Sequence, residues 1–207
     1  MTVDDQPKRR GRPPSGGREA ILDATLALLH EGGVANVTSR QVAARAGVSD
    51  ASVYYHFGDR VGLLQAAYEQ GMKPLIIVED PPAENLETLL ATHFAALERF
   101  FDDTLPILHA AQADLELGTR LATYVEENDL GPHRGVTSIA ALIRAEQQAG
   151  RVSADADPES VALLLIDAAF SRSARRALLR PDENNERLPT PERLLASIQQ
   201  LLKPPAA

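Results

Sequence analysis

The chain reads as an all-α protein: an N-terminal three-helix unit containing a helix-turn-helix, joined to a larger helical C-terminal domain. Three observations carry this. Apolar residues recur at i, i+3 and i+4 along most of the chain, and strand-like alternation is scarce. Hydrophobic residues make up 44% of the 207 residues but aromatics only 4%, a Leu, Ala, Val and Ile core suited to packed helices. Helix punctuation recurs: Gly32-Gly33, Gly47 and Gly150 as stops, and Asp157-Pro158-Glu159 and Thr190-Pro191-Glu192 as starts, with a cap, proline in the first turn and an acid behind it.

Taken in order, residues 1–17 are rich in charge, Pro and Gly and are expected to form a disordered basic arm. Its Arg9-Arg10-Gly11-Arg12-Pro13 resembles an AT-hook, whose arginines enter the narrow, negative minor groove of A·T tracts. A first helix from about Gly17 to Glu31 places Ile21, Leu22, Thr25, Leu28 and Leu29 in one stripe. Thr38 with Gln41 is a capping box, Val42, Ala43 and Ala46 make an apolar side, and Gly47 ends that helix. Ser49 caps a second short helix with Val53 and Phe57 inward. Its other face carries Asp50, Ala51, Ser52, Tyr55 and His56, a surface that a helix-turn-helix presents to the major groove of DNA.

Asp59 caps the next helix, which has Leu63, Leu64 and Ala67 inward, runs to about Met72 and is broken by Pro74; Pro81-Pro82 bound a loop. Beyond it, Leu86, Leu90, Phe94, Leu97 and Phe101 mark one helix. Pro106 opens another near Leu105–Leu115, and Thr119–Glu127 is either its continuation or a separate helix. Pro132 starts a helix to Ala149 with Val136, Ile139, Ala140 and Ile143 inward. Val161–Leu179 follows, and the last helix has Leu194, Leu195, Ile198, Leu201 and Leu202 in a near-heptad seam. That seam, with Leu164, Leu165, Ala168 and Ala169 of the penultimate helix, is the candidate homodimer interface.

The stretch Thr38-x-x-x-Val42-Ala43-x-x-Ala46-Gly47-Val48-Ser49-x-x-x-x-Tyr54-x-His56-Phe57 resembles the DNA-binding signature of the TetR family of bacterial regulators. The match extends from Ile21 to Leu64, roughly the first third of the chain. The resemblance implies a division into residues 18–64, which bind DNA, and residues 65–207, which bind a small molecule and dimerise through the last two helices as a four-helix bundle. It implies roles by position. Thr38 and Ser39 hold phosphate at a helix N-terminus, Arg40 reaches base edges, and Ser49, Asp50, Ala51 and Ser52 open the recognition helix. Tyr54, Tyr55 and His56 form a phosphate-contacting cluster, and Arg60 matches a family lysine that approaches the backbone. Asp50 departs from the basic or amide residue expected there; it repels phosphate but is able to accept from a cytosine amino group.

The formal net charge of -8 runs against DNA binding until it is located. Residues 1–72 hold 8 Lys+Arg and 8 Asp+Glu, while residues 73–207 hold 13 and 21. Lys8 to Arg18 has five basic residues and no acid. Screening over about 8–10 Å at physiological salt lets this patch act apart from the acidic remainder.

The absence of cysteine excludes disulfides, thiolate metal sites and a cysteine nucleophile, and accords with a cytoplasmic location. No signal peptide is visible, and the most apolar run, Val161–Phe170, is too short to cross a bilayer. There is no Gly-rich phosphate loop, no His-Glu-x-x-His, no Gly-x-Ser-x-Gly, and the five histidines are scattered, so no catalytic, metal or cofactor site is expected. Candidate ligand-lining residues are His93, Phe94, Phe101, Tyr124 and Phe170. The expected function is a ligand-responsive repressor that binds a palindromic double-stranded operator as a dimer. The alternative is an activating or architectural DNA-binding regulator without a small ligand.

Overall fold

The computed structural model describes residues 17–77, 85–178 and 189–204. The basic arm with Arg9, Arg10 and Arg12, and the Pro81-Pro82 segment, lie outside the described residues. Among the described residues there are nine α-helices, one 3-10 turn and no strand. The first four helices are α1 (Gly17–Gly32), α2 (Ser39–Ala46), α3 (Asp50–Phe57) and α4 (Arg60–Ile77), with the 3-10 turn Val34–Asn36 between α1 and α2. The rest are α5 (Leu86–Ala113), α6 (Leu115–Glu127), α7 (Pro132–Gln148), α8 (Pro158–Leu178) and α9 (Pro191–Leu202).

Two cores form, and α5 serves both. The first gathers Ile21, Leu28 and Leu29 of α1, Val42 of α2, Val53 of α3, and Leu63, Leu64, Ala67, Tyr68 and Met72 of α4. Ile107 of α5 and Leu117 and Leu121 of α6 complete it. The second joins Leu90, Phe94 and Leu97 of α5 to Ile139 and Ile143 of α7, Leu165 and Ala169 of α8, and Ile198 and Leu202 of α9. Thr25 and Thr104, both fully buried, return their hydroxyls to the Ile21 and Phe100 carbonyls at 2.7 and 2.6 Å, so neither leaves a polar group unsatisfied.

Two proline readings need correction. Pro74 does not break its helix, because α4 continues to Ile77, and Pro106 does not open one, because α5 passes through it without interruption. An interior proline costs about 3 kcal/mol. Here that cost is offset by burial on adjacent turns: Leu105 and Ile107 flank Pro106 inside the core, and Tyr68 and Met72 seat α4 ahead of Pro74. The break falls instead at Asp114, which caps α6 by accepting from the Leu117 N–H at 3.1 Å. The Thr119–Glu127 segment is therefore a separate helix.

The terminal seam also divides differently from the expected one. Leu165 and Ala169 of α8, and Ile198 and Leu202 of α9, are buried within this chain. Leu163, Leu164, Phe170 and Leu201 are the large apolar residues these helices leave exposed, at 49, 51, 44 and 59%. Helical spacing locates an apolar stripe but does not say whether it faces its own chain or a second copy.

Candidate nucleic-acid interface

The reader is built from local chemistry. Thr38 sits extended (φ -120°, ψ 150°), and its hydroxyl oxygen accepts from the Gln41 N–H at 3.2 Å. The expected capping box is only half formed. The Thr38 hydroxyl donates to the Gln41 side-chain oxygen at 2.8 Å, and the Thr38 N–H goes to the Asn36 carbonyl at 3.2 Å. Gly47 ends α2 at φ 69°, ψ 29°, a left-handed conformation that costs glycine little. Ser49 then caps α3, accepting from the Ser52 N–H at 3.2 Å while the two hydroxyls lie 2.9 Å apart. Buried Val42, Ala43 and Val53 hold the two helices on the α1 and α4 core.

What remains outside is the predicted face. Thr38, Arg40, Ser49, Asp50 and Ala51 are exposed, and Ser39, Ser52 and His56 are half-buried. Tyr54 and Tyr55 are 72 and 81% exposed. A buried anchoring role for Tyr54 is thereby ruled out. The Tyr55 and His56 rings meet edge to face at 5.2 Å, and His56 Nε2 lies 3.7 Å from where a Gly17 Cβ would stand, beside the start of α1.

Arg60 is corrected. Its Nε and Nη2 donate to the Val37 and Val34 carbonyls, both at 2.9 Å, so the guanidinium clamps the 3-10 turn that leads into α2. The Val34 carbonyl also accepts from the Val37 N–H at 3.1 Å, and a planar fork reaches both carbonyls at once.

Three supports had no sequence signal, the first two because they join residues distant in sequence. Arg45 makes a two-point ion pair with Glu31 at 2.6 and 2.7 Å, which locks α2 to the end of α1. The Arg18 guanidinium lies over the Phe57 ring at 5.2 Å and ties the start of α1 to the end of α3. Gly62 approaches so closely that an added Cβ would sit 2.2 Å from the Phe57 carbonyl oxygen. The α3–α4 corner therefore admits no side chain at that position.

The five candidate ligand residues are not brought together. His93 and Phe94 are buried in the second core, and the His93 Nδ1–H donates to the Leu89 carbonyl at 2.8 Å. Tyr124 stands in the first core, edge-on to Tyr68 at 6.3 Å. Phe101 and Phe170 meet edge-on at 5.3 Å, and of the five only Phe101 lines the open groove of about 820 Å³ between α1, α5 and α8. Among the described residues no group of histidine and carboxylate side chains is arranged to hold a metal ion, and no helix is long and apolar enough to cross a membrane.

A capped helix-turn-helix presenting hydroxyls, an arginine and two exposed tyrosines stands on an all-helical body. Residues 21–67 match the model described as bacterial regulatory proteins, tetR family. The sequence likeness to that family thus lies in this domain. It is similar to the HTH-type transcriptional regulator BetI of Serratia proteamaculans, 33% identical over 86 residues, which are 37% of this chain and 43% of that protein. The chain thus spans under half the length of the curated relatives it matches. In fold the likeness extends over nearly the whole chain. A TetR-family structure from Rhodococcus sp. superposes with a TM-score of 0.63 at 24% identity, covering 91% of this chain and all of that one. The SmeT–triclosan complex gives 0.61 at 22% identity, with 91 and 92% covered.

Proposed function

We propose that the chain is a ligand-responsive transcriptional repressor that binds a palindromic double-stranded DNA operator as a homodimer and is released by a small molecule. The observation that carries this is the exposed face from Thr38 to His56. Residues 18–64 act as the reader and 65–207 as the sensor and dimerisation domain. Arg40, Asp50 and Ala51 meet base edges in the major groove, and Thr38, Ser39, Ser49, Ser52, Tyr54, Tyr55 and His56 hold phosphate. The arginines of the arm, Arg9, Arg10 and Arg12, enter the adjacent minor groove.

One short helix per chain reads too few bases for specificity, so a two-fold pair is needed, with recognition helices about 34–36 Å apart. The exposed Leu163, Leu164 and Phe170 of α8 and Leu201 of α9 supply the apolar surface for that pairing. Binding of a small molecule is supported by the fold shared with the SmeT–triclosan complex and with a gamma-butyrolactone receptor at a TM-score of 0.56. Because α4 runs from the reader into the sensor, its tilt sets the spacing of the two readers.

The test begins with gel shift on DNA flanking the gene, in which a palindrome is expected to be retained. Ligands found by thermal shift are then titrated with and without that DNA. Coupling requires the affinities to differ by the same factor in both directions. Equal affinities for every stabilising ligand would instead favour a regulator that works without one.

A further inference from the structure

The C-terminal end of α1 reaches across to the sensor at one point. His30 Nε2 lies 2.8 Å from Asp103 Oδ1 of α5, with the two side chains 49 and 22% exposed. The same level of α5 is pressed on α4: a Cβ at Gly71 would stand 2.8 Å from the Thr104 methyl and 3.4 Å from the Asp103 Cβ. The neighbouring Asp102 is held by Arg176 of α8, whose Nη2 is 3.0 Å from both carboxylate oxygens and whose Nη1 is 2.8 Å from Glu98. Arg172 of α8 donates to the same Glu98 at 2.9 Å. A line of charge therefore runs from α8 through α5 to the reader's first helix, beside the helix that links the two domains.

We propose that the His30–Asp103 pair is a proton-operated latch between the reader and the sensor, tight when the imidazole is charged and weakened when it is neutral. The charged form gains at both ends. Asp103 accepts a charge-assisted hydrogen bond, and His30 stands in the last turn of α1, where the helix dipole favours a cation. The other ionisable groups on this groove are Glu31, Asp102, His109 and Arg176. Glu31 is occupied by Arg45 and Asp102 by Arg176. His109 is exposed and has no carboxylate bound to it among the described ion pairs, so solvent and salt screen it from the latch. The hydrogen bond to Asp103, then the attraction of Asp103 and Asp102, raises the His30 pKa above its ordinary value against the opposing effect of partial burial.

A raised histidine value places the stabilisation at low pH. It is fully present below about 6.5, where both the unfolded and folded forms are protonated, and is lost as pH rises through the folded-state value. The latch therefore loosens on going from mildly acidic to alkaline conditions, the reverse of what a carboxylate-based contact does.

The chain has no cysteine, so paired labels can be placed without background. Glu19→Cys on α1 and Ala91→Cys on α5 occupy exposed positions. Spin-label distance distributions in the full chain are compared at about pH 5.5 and about pH 8.5, either side of the ordinary imidazole value. A narrower distribution at the lower pH is expected in the parent, and the same narrow distribution at both in His30→Lys. Asp103→Asn, which keeps the shape, is expected to be broad at both. Histidine NMR titration of the parent is expected to give His30 above about 6.5, falling toward it in Asp103→Asn. A parent distribution unchanged by pH, a His30 titration unaffected by Asp103→Asn, or a pH response that persists in His30→Lys would each overturn the latch. None of these readouts depends on DNA, so failure of the operator reading leaves the result interpretable.

Discussion

Arg60 and Arg40 show how little a residue type says about its task. Both are arginines within the proposed DNA-reading third of the chain. Arg60 is spent internally on the Val34 and Val37 carbonyls, whereas Arg40 is exposed on the first turn of α2. Arg60→Ala is accordingly expected to lower stability by about 1–3 kcal/mol in urea unfolding without DNA present, since two carbonyls lose charge-assisted bonds. Lysine should not restore it, because a point charge lacks the fork. Unchanged stability would return Arg60 to the DNA surface. Arg40→Ala is expected to leave folding intact and relax preference at one operator position by about 1–3 kcal/mol. Tyr55→Phe should weaken all sequences about equally, as loss of a phosphate contact does. A uniform loss for Arg40→Ala in competition binding would mean that it too holds phosphate.

At the level of helices, the join between α4 and α5 is set by Gly71. Its missing side chain lets the Thr104 methyl approach to within 2.8 Å of where a Cβ would stand. Gly71→Ala gains about 1 kcal/mol of helix propensity but overpacks a tight contact, typically a cost of about 1–3 kcal/mol. The expected net result is destabilisation in thermal unfolding. Adding Thr104→Ser removes the methyl but keeps the hydroxyl bonded to Phe100, and should recover the loss and expose the propensity gain. If the double variant is no more stable than Gly71→Ala, the crowding is not at Thr104. The same contact explains the continuity of α5 through Pro106: packing against α4, α6 and α8 fixes that helix along its length, so a local break would forfeit more than proline costs.

For the molecule as a whole, the exposed apolar side chains on α8 and α9 matter more than any single buried one. Leu164 is 51% exposed and contributes to no core of its own chain. Leu164→Glu should therefore leave the monomer folded while opposing self-association. Each buried leucine contributes about 1.5–3 kcal/mol, and two-fold symmetry counts it twice, so the dimer dissociation constant should rise by about two to four orders of magnitude. Sedimentation equilibrium measures this directly, and a dimer of undiminished affinity would place the interface elsewhere. Leu165→Glu, one residue on, is expected to unfold the chain instead, because Leu165 has no exposure.

The elements of the reader were legible in the linear chain because their causes are local. Gly47 needs a positive φ, Ser49 caps its own helix, and Val42 and Val53 keep helical spacing, all within a few residues. The stripes of α1, α5 and α7 were legible for the same reason: a 3.6-residue period marks a face whatever lies against it. What that face meets was decided only in three dimensions. Tertiary burial carried α4 and α5 through their prolines and turned Arg60 inward. It also split the α8 and α9 stripes between the chain's own core and its surface. It dispersed the five large side chains that had suggested one cavity, leaving Phe101 alone on the groove. It joined His30 to Asp103, 73 positions apart, a pairing that no spacing rule anticipates, because the energy of such a contact resides in the packing of helices that are neighbours only in space.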